Sequence, residues 1–137
     1  MKPAAIRWFE ILLFAALAVD IGNNLLSSRE MAAGMADRGM AISTTALMLL
    51  SLVPAIVGFG FWHFIVHRRS SMARWLFALL VAGSAFLFAV QVARFGLSAL
   101  TPTLSFAGLS ELLKLLAAAC LLLPGAAPWF ADGRRRP

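Results

Sequence analysis

Four long apolar runs, separated by polar segments, make up most of the chain. Strands of a membrane barrel alternate in polarity over about ten residues, whereas these runs are continuously apolar. Each is close to the ~20 residues that an α-helix needs to cross a bilayer. The pattern predicts an all-α membrane protein, folded as an antiparallel four-helix transmembrane bundle in a single domain, 1–137. The predicted spans cover about 8–26, 41–66, 75–95 and 106–123.

Prolines mark one bend and one helix end. Pro54 lies in the middle of the second run. Because proline has no backbone N–H and its ring crowds the preceding turn, we predict a kink there. Pro124 and Pro128 follow the fourth run and are expected to close it.

The segment between the first two runs has helix-forming character of its own. Ser27 and Glu30 stand three residues apart, as in a capping box. Alanines and methionines follow, and Gly39 could end the helix. We therefore predict a short interfacial helix in the first outer loop.

The composition supports a membrane location. Hydrophobic residues make up 61% of the chain and charged residues 13%, whereas soluble domains have roughly 25% charged residues. The formal net charge is +6, but the basic residues stand at the ends of apolar runs rather than on a soluble surface. The expected partner is therefore the lipid bilayer, and no nucleic acid is expected.

The basic residues also predict the orientation. They form three groups: Lys2 with Arg7, the central segment from His67 to Arg74, and Arg134 to Arg136. With four spans, all three groups fall on one side, which the positive-inside rule makes cytoplasmic. We expect a multi-pass protein with cytoplasmic N- and C-termini. The four tryptophans flank the runs and are expected to be interfacial anchors: Trp8, Trp62, Trp75 and Trp129.

The first run also allows another interpretation. A basic start, an apolar stretch and the sequence Ala16-Leu17-Ala18 are features of a cleavable leader. Glu10 shortens that apolar stretch to about eight residues, which is near the lower limit for a leader.

Polar residues inside the spans are the main candidates for function. An ionisable group there costs at least about 2.5 kcal/mol, so partners are expected. At about 1.5 Å per residue, Asp20 lies roughly 18 Å beyond Trp8. We predict a polar cluster in the outer third of the membrane, with Asp20 paired with Arg94 or Lys114. Its members would be Asp20, Asn23, Asn24, Gln91, Arg94, Glu111 and Lys114.

Two interpretations of this cluster remain open. The polar groups could hold the helices in register through hydrogen bonds, each contributing about 1 kcal/mol. They could instead line a vestibule that binds a ligand or forms an ion pathway.

Metal, cofactor and catalytic signals are weak. His63 and His67 are four residues apart, a spacing that allows two metal ligands on one helix face. Only Glu10 could add a third ligand at similar depth, so interfacial histidines are the preferred interpretation.

Cys120 is the one cysteine, which leaves no intramolecular disulfide. We expect no cofactor and no enzymatic activity, because no nucleophile has a matching base and no phosphate loop is present.

Three short motifs carry a resemblance to a class of proteins. They are Ile6-Arg7-Trp8-Phe9-Glu10, Arg68-Arg69-Ser-Ser-Met-Ala-Arg74-Trp75 and Pro128-Trp129-Phe130. Together they resemble small four-span bacterial inner-membrane proteins of uncharacterised function. The resemblance implies the bacterial cytoplasmic membrane and supplies no activity.

The small size and sparse chemistry favour a non-enzymatic protein that acts by association. It would be an accessory subunit bound to a membrane protein partner, or a homo-oligomer. The alternative is a small transporter or channel that uses the polar cluster.

Overall fold

A computed structural model describes residues 2–37, 43–95 and 102–133. All of its regular elements are helical, and no strand occurs within these ranges. The helices are α1 (Ala4–Ala36), α2 (Thr44–Ser51), α3 (Val53–Trp62), α4 (Ser71–Phe95), α5 (Pro102–Leu122) and α6 (Ala127–Gly133). A π-helical turn, His63–His67, follows α3, and a 3₁₀ turn, Pro124–Ala126, precedes α6.

Three helical stretches in the described ranges are long and apolar enough to cross a membrane. They are Thr45–His67, Ser71–Arg94 and Ser105–Leu122, which correspond to the second, third and fourth predicted spans. The all-helical prediction is confirmed, and the apolar helices indicate a membrane protein. The first predicted span lies within α1 and is not one of the three.

The helix α1 continues beyond its predicted span. It runs without a break to Ala36, so residues 27–36 extend α1 rather than form a separate helix. Ser27 does not cap a helix. Its hydroxyl donates back to the carbonyl of Asn23 at 2.9 Å, as serines do inside helices. The predicted end at Gly39 lies outside the described residues.

The second apolar run is interrupted next to Pro54, where the sequence predicts a kink. Helix α2 ends at Ser51, and α3 begins at Val53 with Pro54 in its first turn. Proline is tolerated in a first turn because its missing N–H would have no partner there. The run ends in the π-helical turn, where the N–H of Arg68 donates to the carbonyl of His63 at 3.3 Å.

In two pairs of helices, α1 with α3 and α4 with α5, the contacts run in opposite chain directions. Between α1 and α3, Glu10 contacts Trp62 and Leu17 lies beside Gly58. The second contact is therefore further along α1 but earlier in α3. Along α4 and α5, Ser84 contacts Glu111, and the ring of Phe88 lies beside Gly108.

Aromatic and basic side chains join three distant parts of the chain at one end of the molecule. The indole N–H of Trp62 donates to Glu10 Oε1 at 3.0 Å. The indole of Trp129 donates to the carbonyl of Ile65 at 3.4 Å, and the Arg69 guanidinium lies 4.0 Å from the Trp129 ring centre. The start of α1, the central basic segment and α6 therefore meet. The core lies between them and includes Ile6, Phe9, Leu13, Ile65, Phe77, Leu121 and Phe130.

Gly58 allows α1 and α3 to approach closely. A Cβ added at Gly58 would lie 2.8 Å from Leu17 Cδ2, which is too close for two carbon atoms. Gly60 and Gly83 have no atom within 4 Å of such a Cβ. Of the small-residue positions in these helices, Gly58 therefore contributes to tight packing, whereas Gly60 and Gly83 face open space.

We expect Gly58→Leu to destabilise the protein and Gly60→Leu not to. The added side chain at position 58 overpacks the contact with Leu17, which costs about 1–3 kcal/mol. At position 60 the added Cβ has no atom within 4 Å, and the change removes a flexible glycine from a helix, which is worth up to about 1 kcal/mol. The free energy of unfolding in mixed micelles measures both effects. A Gly58→Leu protein as stable as Gly60→Leu would contradict the packing account.

Candidate functional site

Four side chains from three helices form a charged cluster: Asp20, Ser84, Glu111 and Lys114. The Lys114 ammonium donates to Asp20 Oδ2 at 2.7 Å and to Glu111 Oε1 at 3.1 Å. The Ser84 hydroxyl lies 2.8 Å from Glu111 Oε2, to which it can donate. The three ionisable side chains are only 16–20% exposed. The cluster therefore connects α1 to α5 through Lys114 and α4 to α5 through Glu111.

Two members of the cluster, Glu111 and Lys114, lie nearer the middle of their helix than the predicted span boundary places them. Helix α5 begins at Pro102 rather than near Phe106, so Glu111 and Lys114 lie near its midpoint and not in its first turns. Asp20 and Ser84 are likewise close to the midpoints of α1 and α4.

Sequence reasoning missed Ser84 as a member of the cluster. Serine is common in apolar helices because its hydroxyl can bond to a preceding carbonyl, and here the carbonyl of Val81 lies 3.0 Å away. Its position along the chain could have identified it, because Ser84 is an isolated polar residue in the middle of the third apolar run.

Four of the predicted site residues do not join the cluster. Asn23 and Asn24 lie about one turn beyond Asp20 on α1 and are half-buried. Gln91 and Arg94 are exposed on α4. Gln91 follows Ser84 by seven residues, or roughly 10 Å along the helix. Of the two residues predicted to pair with Asp20, Lys114 forms the ion pair.

A cavity of about 260 Å³ lies beside the cluster. Three members of the cluster reach its wall, namely Asp20, Ser84 and Lys114. The rest of the wall is apolar and contains two phenylalanines, and we call this space the Asp20 cavity. Its other lining residues are Leu13, Leu17, Pro54, Val57, Gly58, Phe61, Phe77, Leu80 and Val81.

The cluster carries a formal excess of one negative charge, because two carboxylates surround one ammonium group. Inside a low-dielectric bundle, such an excess favours the uptake of a cation. Phe61 and Phe77 also line the cavity, and an aromatic ring attracts positive charge at its face. An apolar cavity with a few polar groups at one side is the usual form of a small-molecule site.

The two histidines do not form a metal site with Glu10. Their rings stack on each other, with centres 5.1 Å apart, and both residues are exposed. Glu10 instead accepts hydrogen bonds from Trp62 and from Lys2, whose ammonium is 2.9 Å away. Within the described ranges, no group of three histidine, cysteine or acidic residues could hold a metal ion.

Comparisons with protein-family models, with curated proteins and with solved structures gave no match for this chain. The class that the helices indicate is an all-helical membrane protein. A more specific function has to be argued from the charged cluster and its cavity.

Proposed function

We propose that this chain is a non-enzymatic protein of the bacterial cytoplasmic membrane that binds a small, largely apolar cation inside its helix bundle, as a small transporter does. The observation that carries this proposal is that one acidic and two aromatic residues line the same cavity. There Asp20, from a cluster with one excess negative charge, faces the same space as Phe61 and Phe77.

The cavity chemistry favours this ligand over an anion or an uncharged molecule. An anion would add a second excess negative charge to the cluster. An uncharged apolar molecule would leave the charge excess uncompensated. A cation with an apolar body would compensate the charge beside Asp20 and would place its body against leucine, valine and phenylalanine side chains.

The proposal includes an antiparallel four-helix bundle in which α1 also crosses the membrane. Its support is the pairing of α1 with α5, which is itself apolar enough to span. The Lys114–Asp20 ion pair and a 3.4 Å contact from the Ser110 hydroxyl to the Ala16 carbonyl hold the two helices side by side. Because Lys2 and the central basic segment lie at the same end of the molecule, we place both termini in the cytoplasm.

A pair of ligands with the same shape tests the function. Benzyltrimethylammonium carries a permanent positive charge, and neopentylbenzene is its uncharged carbon analogue. We expect the purified full-length protein to bind the cation at least about tenfold more tightly, a difference of about 1.4 kcal/mol. Equilibrium binding in detergent measures both affinities. Equal affinities, or tighter binding of the neutral molecule, would overturn the proposal.

Association with other chains is a second candidate function, favoured by the exposure of α4. Only 11% of its apolar window is buried within the chain. Leu79, Phe86 and Leu87 are all more than half exposed. This face could contact a second copy or a partner subunit as well as lipid. The native mass of the complex, extracted gently from its own membrane, distinguishes an accessory subunit or homo-oligomer from a monomer.

A further inference from the structure

A second apolar space, separate from the Asp20 cavity, lies between α3 and α4. We call it the α3–α4 groove. It has a volume of about 430 Å³, within the usual range for small-molecule sites. It shares Val57 and Phe61 with the wall of the Asp20 cavity but contains none of the charged cluster. It is lined by Val57, Gly60, Phe61, Phe64, Ser70, Met72, Ala73 and Leu76.

One end of the groove meets the central basic segment. Ser70 lines the groove and directly follows Arg68 and Arg69. Arg74 lies one turn further on, and its N–H donates to the Ser70 carbonyl at 3.2 Å. The groove is therefore lined mainly by apolar residues, and the basic segment adjoins it at Ser70.

Two arginines at this end, Arg68 and Arg74, have no carboxylate partner within the described ranges. The sequence contains no aspartate or glutamate between Asp37 and Glu111. Arg74 lies over the ring of Phe130, with its guanidinium carbon 4.8 Å from the ring centre. Within the described ranges, neither Arg68 nor Arg74 forms an ion pair, and Arg68 is exposed.

We propose that the α3–α4 groove binds an anionic phospholipid of the cytoplasmic leaflet. One acyl chain lies over Gly60 between Phe61 and Leu76, and the phosphate contacts Arg68 and Arg74. Guanidinium groups form strong charge-assisted hydrogen bonds with phosphate oxygens. Basic sites between helices on the cytoplasmic side are suited to anionic headgroups. This site does not depend on cation binding in the Asp20 cavity.

Native mass spectrometry of the full-length protein in detergent tests this site. The probes are phosphatidylglycerol and phosphatidylcholine with identical acyl chains. We expect the anionic lipid to bind the wild-type protein at least about fivefold more tightly, the equivalent of about one basic residue near a membrane surface. Equal binding of the two lipids would overturn the proposal.

Two variants, each with a matched control, test the apolar part of the groove and its basic end. Gly60 lines the groove, and a Cβ added there has no atom within 4 Å, so we expect Gly60→Leu to occupy part of the groove and to lower the affinity for both lipids. Gly83→Leu is the matched control, because Gly83 also faces open space but lies outside this groove. Arg68→Gln should remove most of the preference for phosphatidylglycerol, and Arg68→Lys should retain it. Unchanged binding in Gly60→Leu, or an unchanged preference in Arg68→Gln, would contradict the proposal.

Discussion

Replacing Lys114 with methionine should destabilise the protein by about 3 kcal/mol. The change removes the only cation of the charged cluster and leaves Asp20 and Glu111 without a counterion. An unpaired buried charge is far more costly than a missing pair, because nothing compensates for its lost hydration. Methionine fills much of the same space, so the effect reports charge rather than a cavity. The free energy of unfolding in mixed micelles measures it.

Two further variants separate charge from packing at this position. Lys114→Arg keeps the cation and should retain most of the stability. Adding Asp20→Asn to Lys114→Met removes one of the two unpaired carboxylates, so it should recover part of the loss. A double variant that is less stable than Lys114→Met alone would show that the ion pair does not account for the effect.

Asp20→Asn alone should abolish the preference for a cation while changing stability by only about 1 kcal/mol. Lys114 still has Glu111 as its partner at 3.1 Å, so no buried charge is left unpaired. The net charge of the cluster rises from −1 to zero, and the attraction for a cation is lost. We expect the affinity for benzyltrimethylammonium to fall at least about tenfold, with the affinity for neopentylbenzene unchanged.

Glu10→Gln is the matched control for this prediction. It makes the same type of change on the same helix, but Glu10 lies at the opposite end of the core, beside Trp62, and outside the Asp20 cavity. Cation affinity should therefore stay at the wild-type level. If Asp20→Asn instead lowers stability severely and leaves cation binding intact, the cluster holds the helices in register and has no part in binding.

Much of the fold could be predicted because apolar runs of membrane length have few alternatives to a helix. The boundaries were harder, for reasons visible at two residues. Ser27 can cap a helix or bond back to its own helix, and sequence alone does not distinguish these. The fourth span was predicted to begin at about 106, whereas α5 begins at Pro102, because proline is favourable at the first position of a helix.

The charged cluster was predictable in part. Each intramembrane charge needs a partner, which pointed to Arg94 or Lys114 for Asp20, and Lys114 forms the ion pair. The cavity was not predictable, because it depends on how side chains pack. Leu17 lies against Gly58, and together with Pro54 these residues line a space that the hydrophobic pattern does not reveal.

Photolabelling tests the central claim most directly, because it locates the bound cation. A benzyltrimethylammonium derivative with a diazirine on its ring would be bound to the full-length protein, activated by light and mapped by peptide sequencing. We expect labels on residues that line the Asp20 cavity and not the α3–α4 groove, such as Leu17, Phe77 and Val81, and we expect excess unlabelled cation to suppress them. Labels confined to the exposed face of α4, around Phe86 and Leu87, would contradict the account.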